Sequence, residues 1–285
     1  MVHAKRSHGK ISFVDIRDRT GITQVVILPG NPSYEIADSV PIESVVSIQG
    51  TVQERPPGMI NMDIISGRVE LQTDSFTILS RCKTLPFELD DTSNVHEELR
   101  LQYRYLDMRS KRMRRNILMR HTCNQFIREW FSKNEYIEVE TPLLTKSTPE
   151  GARDFLVPSR NQPGKFYALP QSPQQYKQLL QIGCIERYFQ LVRNMRDEDQ
   201  RGDRQAEFSQ IDVEASFITQ EDILRMSEEF LVSLVKKIFP EKHFTLLPFP
   251  RISYDDALKR YETDKPDLRK NKDDLNEHED EISLG

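Results

Sequence analysis

Met195-Arg196-Asp197-Glu198, a polar loop, and Arg204-Gln205-Ala206-Glu207-Phe208 form the stretch that decides how this chain is read, because strand-like sequence flanks it: Tyr188 to Val192 before, Phe208 to Phe217 after. Strands that follow each other directly across a loop favour antiparallel pairing, since parallel neighbours need a long crossover. An arginine held at a strand end can fork hydrogen bonds onto a phosphate and a carboxylate together without losing its charge. When a carboxylate attacks the α-phosphorus of ATP, negative charge builds on both partners, and fixed cations stabilise it most directly. Glu198 can accept from an adenine amino group, and Phe208 offers a ring face to a purine. Taken alone, Arg196, Asp197 and Glu198 read equally well as a surface charge network.

Outward from this stretch, helices and strands alternate. Phe166 to Leu169 reads as a strand and Gln174 to Ile182 as a helix. Further upstream, Ile117, Cys123, Phe126, Ile127, Trp130 and Phe131 share a helical face that Asn134 breaks, and Tyr136 to Glu140 alternates as a strand. Downstream, Thr219-Gln220-Glu221-Asp222 resembles a capping box opening an amphipathic packing helix that ends before Pro240.

The first 80 residues have a different period. Ile11 to Asp15, Ile22 to Leu28, Val45 to Val52 and Phe76 to Leu79 read as short strands, with Thr20-Gly21 as a turn, Asn31 to Asp38 as a short joining helix, and Arg55-Pro56-Pro57-Gly58 as a break. An oligonucleotide-binding barrel with a helix after its third strand fits this order. The expected organisation is therefore a β plus α/β chain: a barrel over 1–82, a linker over 83–112, a second domain over 113–269 and an acidic tail over 270–285.

Composition agrees with two domains. A chain of 285 residues, 37% apolar and 30% charged, describes a highly charged globular protein, and apolar runs such as Val25 to Leu28 are far too short to span a bilayer. No membrane partner is expected. The basic, polar start gives no secretory signal, so the expected address is cytoplasmic, or mitochondrial for an organellar protein. Cys82, Cys123 and Cys184 are far apart and suit reduced thiols better than a zinc site or disulfides. The net charge of −5 is uneven: residues 1–19 and 100–120 are locally basic, while residues 270–285 hold two lysines against six carboxylates. A nucleic acid would use the first two regions and avoid the third.

The central stretch resembles motif 2 of class II aminoacyl-tRNA synthetases, with Met195 in place of the usual phenylalanine. That resemblance implies that Arg196 is catalytic and touches both ATP and the amino acid. It also implies that Asp197, Glu198 and Gln205 belong to the ATP site, that Phe208 stacks on adenine, and that the loop from Asp199 to Asp203 meets the tRNA acceptor end. Glu140-Thr141-Pro142 is similar to motif 1, which implies a twofold homodimer with Pro142 at the interface. Two further runs, Ser147-Thr148-Pro149-Glu150-Gly151-Ala152-Arg153-Asp154 and Leu169-Pro170-Gln171-Ser172-Pro173-Gln174-Gln175-Tyr176-Lys177, resemble aspartyl-tRNA synthetases of the bacterial and mitochondrial type. By that likeness Glu150 binds the substrate ammonium and Gln174 and Lys177 line the aspartate pocket. A lysine paired with a second cation selects an acidic side chain and leaves asparagine without charge complementarity.

In the barrel, Lys10-Ile11-Ser12-Phe13-Val14-Asp15-Ile16-Arg17-Asp18 resembles the family's anticodon-binding strand, so Phe13 would stack on a base, Gln24 would read one and Arg6 would assist. Read without the family, Phe13 is a core residue. Tyr103 to Asp107, Arg204 to Glu214 and Asp264 to Arg269 match further family runs. The resemblance implies L-aspartate, ATP and tRNA(Asp) as partners, with tRNA(Asn) as the addition a relaxed reader would accept. It implies Mg²⁺ as well, held by acidic residues of the family that this sequence does not contain.

The family has another barrel strand before the position of Val2, which makes an open barrel edge an expectation. Its glycine-rich motif 3 has no counterpart here, since no glycine lies between Gly202 and Gly285. A chain stopping before motif 3 is expected to turn over weakly or not at all. Three rival readings follow: a nucleic-acid-binding remnant without catalysis, a structural partner of a complete synthetase, and the asparaginyl or lysyl branch, which shares motif 2 but does not usually carry both aspartate-type runs.

Overall fold

The computed structural model describes residues 1–148, 150–200, 202 and 204–268. Pro149, Arg201, Asp203, Arg269 and the expected acidic tail lie outside the described residues. The chain divides into two compact units, one over Met1–Lys111 and one starting at Arg112. The stretch 83–112, read as a linker, contains two short helices, α2 (Glu97–Gln102) and α3 (Arg104–Asp107).

The first unit is a five-stranded sheet, β1 (Val2–His8), β2 (Ile11–Arg17), β3 (Ile22–Ile27), β4 (Val45–Glu54) and β5 (Val69–Ser80), in the order β1-β2-β3-β5-β4, with α1 (Tyr34–Ser39) after the third strand. This is the oligonucleotide-binding order. Alternation along the strands sends Val14, Val25, Ile27 and Phe76 inward, where they pack with Val2, Ala37 and Val40. The β2–β3 turn is fixed by Asp18, whose carboxylate accepts from the N–H groups of Thr20 and Gly21 and from the Thr20 hydroxyl, and these bonds hold its pKa below the ordinary value.

Two strands differ from their sequence expectations. Val2–His8 is a strand although only Val2 and Ala4 are apolar, because its pairing with β2 supplies what periodicity does not. β5 runs twelve residues rather than four. Its polar Glu70, Gln72 and Thr73 hide the alternation, yet they pair with β4, where Gly50 sits at a register shift and a Cβ would overlap the Gln72 carbonyl. The expected open edge is bridged at one point, where the Val2 N–H donates to Ser44 O at 2.9 Å and the Glu43 N–H donates to Val2 O at 2.7 Å.

In the second unit, α4 (Lys111–Lys133) and α6 (Gln220–Ile238) cover a sheet of β6 (Ile137–Glu138), β9 (Arg187–Met195) and β10 (Glu207–Ala215), ordered β10-β9-β6. β9 and β10 pair antiparallel, as two strands joined by one loop should, whereas β6 runs parallel to β9 across a long crossover. That crossover carries the hairpin β7 (Leu156–Pro158) and β8 (Phe166–Ala168), then α5 (Gln174–Ile182). A last helix, α7, spans Tyr254–Tyr261.

The core of this unit is aromatic. Phe131 stacks on Phe189 at 4.9 Å, and Trp130, Tyr136 and Phe230 meet Phe131 edge-on or tilted within 5.3 Å. Each such pair contributes about 0.5–1.5 kcal/mol beyond its burial. At the start of α6, Thr219 Oγ1 accepts from the Asp222 N–H at 3.3 Å and the Asp222 carboxylate accepts from the Thr219 N–H at 2.9 Å, which closes the capping box.

Candidate active site and nucleic-acid face

The β9–β10 hairpin builds the first part of the site. Arg196 directly follows β9, and its N–H donates to Ala206 O at 2.8 Å, so the arginine is fixed at the strand end. Its guanidinium lies 5.1 Å from the centre of the Phe208 ring, a cation–π contact that covers one face of that ring. A cavity of about 420 Å³ is lined by Arg196, Glu198, Gln205 and Phe208, all expected from sequence, and by Asp199, Gln200 and Arg204. Asp197 is placed otherwise: its backbone exchanges hydrogen bonds with Arg153, donating to Arg153 O at 3.0 Å and accepting from Arg153 Nε at 3.3 Å. Two arginines in one partly open cavity suit a polyanion, and a carboxylate beside them suits an amino-bearing base.

The second part lies across the Arg196 side chain, whose Nε donates to Gln171 O at 3.4 Å. Beside Gln171, Ser172 Oγ donates to the Glu150 carboxylate at 2.6 Å. Gln174 and Lys177 occupy one face of α5 at i and i+3. The Lys177 side chain is 11% exposed, and its ammonium is held by Asp212 at 3.0 Å and Glu214 at 3.1 Å, both on β10. Burial alone would lower the Lys177 pKa, but hydrogen bonding and attraction from Asp212, then Glu214, outweigh it and raise the value above the ordinary one. Tyr188 moves up too, first through burial and then through the Asp212 charge. Asp212 and Glu214 did not emerge from sequence as site residues. Their signal was their spacing of two on a strand, which sets both on the face toward α5.

In the barrel, register gathers the expected residues. Arg6 pairs with Phe13, and Asp15 pairs with Gln24, so Arg6, Phe13 and Gln24 share the face opposite the apolar core. Arg6 lies 5.9 Å from the Phe13 ring centre and donates to Gln24 Oε1 at 2.5 Å. Phe13 is half-buried on this face and is absent from the core cluster, unlike its neighbour Val14. The Gln24 amide donates in turn to Glu70 at 2.9 Å, Gln53 donates to the same carboxylate at 3.2 Å, and the buried Arg55 stands 3.9 Å from it. Glu70 was missed from sequence because β5 was read too short, and Gln53 and Arg55 because β4 was read as ending at Val52 with Arg55 in a break.

The family model for class II tRNA synthetases (D, K and N) matches residues 96–283, well over half of the chain. The chain belongs to this family. The model for the OB-fold nucleic acid binding domain matches residues 1–79, so the five-stranded barrel is that domain and the second unit has the class II synthetase fold. Among curated proteins, the chain is similar to an aspartate--tRNA(Asp/Asn) ligase of Desulfatibacillum aliphaticivorans, 49% identical over 93% of this chain and 44% of the relative. It is similar as well to one of Rubrobacter xylanophilus, 50% identical over 94% of this chain and 45% of the relative. The chain thus spans a little under half the length of these relatives. A solved asparaginyl-tRNA synthetase from Pyrococcus horikoshii, complexed with asparaginyl-adenylate, superposes with a TM-score of 0.79 at 26% identity, over 94% of this chain and 64% of that one.

No helix among the described residues is long and apolar enough to cross a membrane. No group of three His, Cys, Asp or Glu side chains among them could hold a metal ion. Pro142 is exposed just beyond β6, followed by the exposed Leu143 and Leu144.

Proposed function

We propose that this chain carries the ATP and amino-acid half-sites and the anticodon-reading barrel of an aspartate--tRNA ligase, acting in the cytoplasm or an organelle as part of a homodimer. The observation that carries the reading is the position of Arg196, over the Phe208 ring in a cavity suited to ATP and against Gln171, whose neighbour Ser172 binds Glu150. In the proposed reaction an α-carboxylate oxygen of L-aspartate attacks the α-phosphorus of ATP. The bond to the bridging oxygen breaks and pyrophosphate leaves. Arg196 is the cation placed to stabilise the charge that builds on both reactants. Glu150 would receive the ammonium and Lys177 the side-chain carboxylate. A hydroxyl at the tRNA end then attacks the aspartyl carbonyl and AMP leaves.

The names of the two relatives favour tRNA(Asp) and tRNA(Asn) as partners, read through Arg6, Phe13 and Gln24. The exposed Pro142, Leu143 and Leu144 suit a twofold interface.

One observation favours a second reading, a tRNA-binding protein without turnover: Lys177 already faces two carboxylates, so an acidic ligand must displace them or bring in a further cation. Pyrophosphate exchange into ATP separates the readings. Exchange stimulated by aspartate and not by asparagine or lysine is the expected result. No exchange from a folded chain that binds tRNA would establish the second reading instead.

A further inference from the structure

Gln171 has no assigned part in the chemistry above, yet it is 2% exposed and three of its hydrogen bonds go to one short segment. Its Oε1 accepts from the Ala152 N–H at 3.1 Å, and its Nε2 donates to Ala152 O at 2.9 Å and to the Asp154 carboxylate. A side-chain amide that engages both backbone groups of one residue reproduces a rung of a β-ladder. The same segment is tied elsewhere: Asp154 accepts from Ser147 Oγ at 2.5 Å, and Arg153 exchanges backbone and side-chain bonds with Asp197. The Gln171 carbonyl faces Arg196 and the next residue, Ser172, binds Glu150, so the segment bearing Glu150 is docked through Gln171 onto the strand end that bears Arg196. Lys177 depends on none of these bonds, because its partners Asp212 and Glu214 come from β10.

We infer that Gln171 is a positioning residue that holds the 150–154 segment against the site, aims the Glu150 carboxylate at the substrate ammonium, and leaves recognition at the Lys177 end untouched. The inference rests on the amino-acid reading proposed above. Gln171→Glu preserves the size of the side chain but offers no donor to the Ala152 carbonyl and sets a second carboxylate beside Asp154. Gln171→Asn preserves the amide on an arm too short to reach both groups.

The test uses the full chain. Binding of L-aspartate, of succinate, which has the same two carboxylates without the ammonium, and of L-asparagine is measured by calorimetry, alongside amide hydrogen exchange at Ala152. In both variants the preference for aspartate over succinate is expected to fall roughly tenfold, the scale set by one lost polar contact in a specificity site. The preference for aspartate over asparagine is expected to hold within about twofold. Ala152 exchange is expected to rise. Two preferences falling together, neither falling, or unchanged exchange at Ala152 would each overturn the role of Gln171. A wild-type chain that shows no preference for aspartate over succinate would overturn the amino-acid reading itself, which separates the two failures.

Discussion

The polar face of the barrel and the amino-acid site of the second unit are both built from charged and amide side chains, but they are assembled differently. In the barrel, strand register places Arg6, Phe13, Gln24 and Glu70, one from each of four strands, and every member leans on a neighbour in the ladder. In the second unit Glu150, Gln171 and Arg196 come from segments whose backbones are not in one ladder, and side-chain bonds stitch them together. A ladder tolerates loss of one side chain because the backbone pairing survives. A stitched site loses geometry with each stitch.

The largest effect tests whether the two units stand independently. Phe131→Ala removes the centre of the aromatic core and is expected to cost about 3–5 kcal/mol, lowering the thermal transition of the second unit. Binding of an RNA hairpin to the barrel should persist, and its loss would tie the two units into one cooperative body. Next, Arg196→Ala is expected to cost about 2.7–4 kcal/mol of transition-state stabilisation, a fall of roughly 10²–10³ in the exchange rate. An unchanged rate would remove the arginine from the chemistry.

Phe13→Ala in the ladder is expected to weaken binding of single-stranded RNA by about 1–3 kcal/mol with the same salt dependence. Arg6→Ala should instead lower the salt slope by about 0.7 if it meets a phosphate. The reverse pattern would mean that Phe13 only fills space.

The fold was legible where signals were local. The Thr219 capping box, the β9–β10 pair, the helix from Gln174 to Ile182 and the aromatic face of α4 all follow from short-range periodicity or capping chemistry. β1 and most of β5 were not legible, because their exposed faces are polar and only pairing with β2 and β4 makes them strands. Within the site, Arg196, Glu198, Gln205 and Phe208 came from one contiguous motif and line one cavity. Asp212, Glu214, Glu70 and Gln171 matter through partners far off in sequence, which a strand spacing or a short motif does not name. Asp197 belongs to the same motif, and its backbone N–H and carbonyl also anchor Arg153.

The smallest effect concerns a local element. Thr219→Ala should cost about 1 kcal/mol through loss of the helix cap. The Asp222 pKa is lowered, first by the Thr219 hydroxyl and then by its N–H. A depressed carboxylate contributes stability above its unfolded value of 3.8 that is lost as pH falls through the folded value. Melting scans in that acid range should therefore show a shallower dependence in Thr219→Ala than in the wild type. Identical slopes would mean that the cap and the carboxylate are not coupled.

The most direct measurement is equilibrium binding of non-reactive sulfamoyl analogues of aspartyl- and asparaginyl-adenylate to the wild-type chain. Tighter binding of the aspartyl compound, by roughly tenfold or more, with the preference lost in Lys177→Met, is the expected result. Equal affinity for the two compounds, or a preference that survives Lys177→Met, would contradict an amino-acid site that selects its substrate through Lys177.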